Sequence, residues 1–249
     1  MLRRLALAAA LSASFVMLYA RDEVREEFHQ TYPLAANGRV GVHNVNGAIH
    51  VSAWDRNEVK VDAIKHGRDQ KALDQAKIVV DTRTDAIEIR TKYPQDCHEC
   101  RPAAVEYTIM VPRGAALDPI NTVNGGVMVE GVSGHIKVAS VNGGVEVRKA
   151  GGDLDLSTVN GRVQGGFDQL AARHISMHSV NGAISLALPK GAGAHLELAT
   201  VHGPVTSDFD LPREHDHYGP GRHVDTQIGG GGAEISLHTV NGGISLTRQ

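Results

Sequence analysis

The chain has 249 residues and a formal net charge of −3. That is length enough for one large or two small domains and for a sizeable core, and the chain lacks the clustered basic excess expected of a nucleic-acid binder. Gly is abundant at 28 residues and aromatics make up only 4%, a balance that suits short strands and tight turns and argues against a helical bundle.

The first twenty residues read as a secretory leader. Arg3 and Arg4 precede an apolar run from Leu5 to Leu18, and the small Ala20 precedes Arg21-Asp22-Glu23. The run is shorter than the ~20 residues of a membrane span, so cleavage near residue 20 is the expected outcome. No Cys follows the run, which argues against a lipoprotein, and removal of the leader takes the formal charge from −3 to −5. The expected location is periplasmic or extracellular. The expected organisation is a leader (1–20) and one domain (21–249), itself divided into irregular N-terminal β units (21–120) and regular repeats (121–249).

Residues 24–34 show no clear period and read as a lead-in segment. From Gly38 the pattern alternates with period two. Val40, Val42 and Val45 lead into Asn46-Gly47, and Ile49, Val51 and Ala53 follow. Further strands are predicted at residues 58–64, 78–81, 86–90 and 105–112, with Pro112 ending the last. Residues 69–77 are the one helix-like stretch, with Ala72, Leu73 and Ala76 at helical spacing.

Between residues 90 and 105 lie the only cysteines, Cys97 and Cys100. In an exported protein two cysteines three apart read first as a small structural disulfide loop. Half of a metal site with His98, or a redox pair, are the alternatives.

From residue 122 the regularity tightens. Gly125, Gly134, Gly143, Gly152 and Gly161 are nine apart, and Val-Asn-Gly recurs around Asn46, Asn124, Asn142, Asn160, Asn181 and Asn241, with His202 in the Asn position of a seventh copy. Tracking the first apolar strand position gives Val127, Val145, Val163, Ile184, Val205 and Ile244, with steps of 18, 18, 21, 21 and 39. The second series, Ile136, Leu154, Ile175, Leu196 and Ile235, has steps of 18, 21, 21 and 39 and so grows with the first. Extra residues therefore enter at loops while the strands hold register. The expected fold is all-β, a parallel β-solenoid of 18–21-residue coils with Asn-Gly at one corner, stacked Asn side chains as a ladder, and an insertion at 207–232. An antiparallel meander of Asn-Gly hairpins is the competing reading.

At this point the residues carry a resemblance. The repeated Thr/Ser-Val-Asn-Gly units, Ala53-Trp54-Asp55 followed by Val59-Lys-Val61, Val111-Pro-Arg-Gly114 and the run Gly229 to Gly232 resemble the bacterial "putative adhesin" domain family of unknown function, over roughly residues 35–249. The resemblance implies an exported cell-envelope protein with a β-solenoid fold and brings no catalytic residues.

Chemistry is sparse in the chain. His215, His217 and His223, among acidic neighbours, are the candidate metal ligands of a His-rich loop whose plainer reading is a solvated loop. Calcium is not expected, because the turns lack a repeated Asp. Glu146 and Asp155 fall on opposite strand types, and no nucleophile or phosphate-loop motif occurs, so neither an enzyme nor a cofactor is expected. A polysaccharide-acting enzyme is the lesser alternative. The expected function is a non-catalytic envelope module binding a glycan or protein across its flat sheets. Self-association through an uncovered C-terminal strand, Gly243 to Thr247, is the structural alternative.

Overall fold

The computed structural model describes residues 23–94, 102–211 and 221–249. The leader 1–20, the Cys97–Cys100 pair and His215 and His217 lie outside the described residues.

The elements follow from the period-two runs. They are β1 (Val24–Pro33), β2 (Arg39–His43), β3 (Ile49–Trp54), β4 (Glu58–Gly67), helix α1 (Gln70–Gln75), β5 (Lys77–Thr82), β6 (Ala86–Lys92), β7 (Ala104–Pro112), β8 (Ala116–Asn124), β9 (Val127–Glu130) and β10 (Ile136–Asn142). There follow β11 (Val145–Arg148), β12 (Leu154–Asn160), β13 (Val163–Gly166), β14 (His174–Asn181), β15 (Ile184–Leu188), β16 (Ala194–His202), β17 (Val205–Ser207), β18 (Arg222–Ile228), β19 (Ala233–Asn241) and β20 (Ile244–Arg248). The helix starts where Asp69 accepts a hydrogen bond from the Ala72 amide, and Ala72 and Leu73 are its buried residues.

The strands form two ten-stranded, mostly parallel sheets. The first runs β1-β4-β7-β3-β9-β11-β13-β15-β20-β17, and the second β5-β6-β2-β8-β10-β12-β14-β19-β16-β18. Successive strands along the repeats alternate between the sheets, so each two-strand unit contributes one strand to each. Val127 is level with Val145, Val145 with Val163, and Val163 with Ile184. In the other sheet Ile136, Leu154, Ile175 and Ile235 are level. Their side chains are buried and belong to one apolar core that also holds the inward residues of the N-terminal units. Each fully buried Val, Leu or Ile contributes about 1.5–3 kcal/mol relative to exposure.

Spatial order departs from chain order at both ends. The β2–β3 unit lies between β6–β7 and β8–β9, and the β19–β20 unit lies between β14–β15 and β16–β17. Three of the four sheet ends carry antiparallel strands: β4 on β7 with β1 outside it, β5 on β6, and β18 on β16; the first sheet finishes instead on the short parallel strand β17.

This corrects three expectations. Ile184 pairs with Ile244 rather than with Val205. The C-terminal strand β20 is not an uncovered edge, because β15 and β17 flank it. Residues 24–33, read as a patternless lead-in, form a ten-residue strand on β4, with Phe28 and Tyr32 against the core. Counting periods along a sequence yields register, whereas the choice among equally spaced partners is made only when the stack assembles.

The Gly of Asn-Gly is where neighbouring backbones meet most closely. A Cβ at Gly143 would fall inside contact distance of the Gly125 carbonyl, and one at Gly242 would do the same against Gly182. Between the strands, a buried hydroxyl in each unit donates to that same carbonyl column: Ser140 to Gly125 at 2.9 Å, Thr158 to Gly143 at 2.8 Å, Ser179 to Gly161 at 3.1 Å and Thr239 to Gly182 at 2.9 Å. Thr/Ser therefore recurs before Val-Asn-Gly because this position is buried and needs a polar group that finds its acceptor.

Gly143→Ala is expected to lower stability by about 1–3 kcal/mol through backbone overpacking. Gly230→Ala, at a site open to solvent with nothing within 4 Å, should stay within about 0.5 kcal/mol of wild type. Denaturant midpoints of the two variants measure the contrast.

Candidate functional site

The phrase Thr/Ser-Val-Asn-Gly places four side chains in four environments, and the outward one makes the site. Val45, Val123, Val141, Val159, Val180, Val240 and Val201 stand in single file on the outer side of the second sheet, each 36% to 42% exposed. At a strand spacing of ~4.8 Å they form a methyl ridge along the stack. Isolated exposed apolar residues are ordinary, whereas a contiguous file marks a contact surface.

Beside the ridge runs a groove of about 930 Å³ along five units. Val141, Val159, Val180, Val240 and Val201 form one wall, Ala139, Ser157, His178, His238 and Ala199 line it two residues earlier, and Gly221, Arg222 and His223 contribute from β18. The Ser/Thr column between these rows is buried, and its hydroxyl protons are committed to Gly carbonyls. The floor therefore makes few demands for polar partners, and the groove is suited to apolar groups.

Two histidines interrupt the small residues. His178 and His238 are level on β14 and β19, with ring centroids 5.3 Å apart in an edge-on arrangement. Each Nε2 is hydrogen-bonded to the hydroxyl two residues before it, Ser176 at 2.8 Å and Ser236 at 3.1 Å. Partial burial in the groove holds the His178 pKa below the usual 6.5, the neighbouring His238 adds to that shift, and Asp155 opposes it. The His178 ring is thus neutral at physiological pH.

The predicted turn residues sit at the corner next to the ridge. The Asn124 amide donates to the Asn46 carbonyl oxygen at 2.8 Å, and Asn142 to Asn124, Asn160 to Asn142, Asn181 to Asn160 and Asn241 to Asn181 follow at 2.8 to 2.9 Å. His202 comes after Asn241 in the stack. A primary amide donates and accepts within one plane and so can be repeated without limit, while an imidazole cannot take both roles in that geometry. Placing Asn241 against Asn181 keeps the amide run unbroken and sends His202 to its end, a physical reason for the exchange of the last two units.

Of the candidate metal ligands, only His223 is among the described residues; it faces Ala199 across the β16–β18 pair. Among the described residues no cluster of three His, Cys, Asp or Glu is arranged to hold a metal ion. Glu146 lies on β11 and Asp155 on β12, in different sheets, and each pairs with a cation, Arg148 at 2.6 Å and Lys137 at 3.3 Å. Sequence reasoning passed over the Val ridge. Its signal was present in the recurring Val before each Asn or His, an apolar residue at an outward-facing position of its strand's alternation.

No protein-family model and no curated protein matches the chain. Solved structures do. A "putative cell adhesion protein" from Clostridium sporogenes superposes with a TM-score of 0.52 at 13% identity, covering 90% of this chain and all of that one. A "putative adhesin" from Bacteroides fragilis gives a TM-score of 0.41 at 11% identity, covering 90% and 97% of the two chains. The first of these shares the fold.

The lowered His178 pKa has a consequence for stability. Because the folded state disfavours the His178 cation, its contribution is intact above the unfolded value near 6.5 and is lost as pH falls from there through the lower folded pKa. Thermal melts of wild type and His178→Gln between pH 7.5 and 4.5 should show wild type losing ground to the variant on acidification. Parallel curves would contradict the assignment.

Proposed function

We propose that this chain is a non-catalytic, exported module of the cell envelope, a single β-solenoid domain over 21–249 that binds an elongated envelope component along the outer face of its second sheet. The solenoid reading is supported by the alternation of strands between two in-register parallel sheets around one core. Export is supported by Arg3-Arg4 and the apolar run to Leu18. The adhesin-like role is favoured by the likeness of fold to the C. sporogenes protein.

The observation that carries the binding reading is the file of exposed valines above an apolar groove. A surface of seven methyl pairs at constant spacing, with rigid strands beneath it, requires no ordering on contact and so retains most of its burial energy for the partner. The elongated shape selects partners that run along the stack rather than compact ones.

Co-sedimentation with isolated bacterial envelope fractions tests this. Wild type is expected to pellet with the envelope, while Val159→Glu/Val180→Glu, which buries two charges in the contact, should lose about tenfold or more in apparent affinity. Circular dichroism confirms that the variant is folded. Equal binding by a folded variant would remove the ridge and groove from the function.

A further inference from the structure

The groove's inner row does not stop at Ala139. Strand register continues it through Asn121 to His43 and on to Arg90. There, on the same outer face and adjoining Pro119 of β8, the surface changes character to a polar cleft of about 710 Å³. Its carboxylates are already matched: Asp81 accepts from Arg90 at 2.8 Å, and Glu88 lies 2.7 Å from His43 Nε2 and 3.7 Å from Arg90. Two guanidinium groups remain. Arg39 donates only to a neutral acceptor, the Asp118 backbone carbonyl at 3.3 Å. Arg83 has no side-chain partner among the described residues. Two exposed cations without counter-charges, in a concave site, favour a planar anionic group that accepts from both.

We propose that this face takes an anionic single-chain amphiphile presented by the envelope, its acidic head between Arg39 and Arg83 and its hydrocarbon chain along the Val-walled groove. This rests on the binding reading above and adds the chemical class of the ligand. Charge complementarity fixes the polarity of the bound molecule. From His43 the row reaches Ala139 after two strand spacings, about 10 Å, and Arg39 stands four residues, about 13 Å, before His43 on β2, so a long chain reaches the near end of the groove while its head stays at the arginines. Within the groove the Ala139, Ser157 and Ala199 positions carry no cation, and the arginine that lines it, Arg222, stands at its far end beside Thr200 and has an interaction of its own.

Calorimetric titration of the full chain with palmitate, hexadecanol and acetate, all below aggregation concentrations, tests the proposal. Wild type is expected to bind palmitate more tightly than hexadecanol and to give no heat with acetate. Arg39→Gln/Arg83→Gln should weaken palmitate by about tenfold, the value of a charge-assisted contact, and leave hexadecanol unchanged. Val159→Glu/Val180→Glu should weaken both. If the arginine variant binds palmitate as wild type does, the head site is overturned while the groove stands. If acetate binds as tightly as palmitate, the chain site is overturned. If wild type binds neither long-chain probe yet still co-sediments with envelopes through Val159 and Val180, the ligand class is wrong and the binding reading survives.

Discussion

Close backbone approach at the Asn-Gly corner is the constraint on which the rest of the structure depends. A side chain at Gly143 or Gly242 would occupy the space of the neighbouring unit's carbonyl. Glycine there lets units stack at strand spacing, and stacking lets a hydroxyl of one unit reach the Gly carbonyl of the next and an amide reach the next amide. Each such hydrogen bond contributes modestly, about 0.5–1.5 kcal/mol, but leaving a buried hydroxyl without its acceptor costs more. The pattern therefore acts mainly as a register lock. A unit displaced by one residue would break its hydroxyl bond, its amide bond and its core contacts together.

That lock also creates the surface. In Thr/Ser-Val-Asn-Gly the buried hydroxyl and the laddered amide fix the backbone on either side of the Val, so its side chain has only one direction left. Repetition turns one exposed Val into a ridge of five, which Val45 (after Asn44) and Val201 (before His202) extend to seven. The groove beside it is apolar for the same reason, because the hydroxyls in its floor donate to Gly carbonyls. Structural order and the candidate binding face thus come from a single four-residue phrase.

The ends follow a different logic. A stack of open units presents a row of unpaired backbone groups at each end, a template for unwanted pairing. Here antiparallel strands lie across both sheets at one end, β4 with β1 and β5, and across one sheet at the other, β18, where the first sheet finishes on the three-residue strand β17. The outermost strand β1 carries Arg25, Glu26 and Glu27, and Lys65 of β4 pairs with Glu26 at 2.7 Å. Burying the first and last units one place inside each end ties the end strands into the stack and leaves neither β3 nor β20 as an edge.

Much of this was legible in the sequence. Period-two runs located the strands, the 18- and 21-residue steps set the register of Val127, Val145, Val163 and Ile184, and the hydrophobic spacing of Ala72, Leu73 and Ala76 marked α1, because these are local consequences of side-chain direction and turn chemistry. Three things were decided only by the tertiary structure. The exchange of the last two units depended on which of two nearly identical neighbours, Asn241 or His202, could continue the amide run. The pairing of β1 with β4 joined segments 25 or more residues apart with no shared motif. The alignment of Arg39 and Arg83 with the Val groove arose because β2, β5 and β6, remote in sequence from the repeats, stack onto the same sheet. A sequence specifies what each strand can pair with; the assembled stack selects the partner that leaves the fewest buried polar groups and ladder positions unmatched.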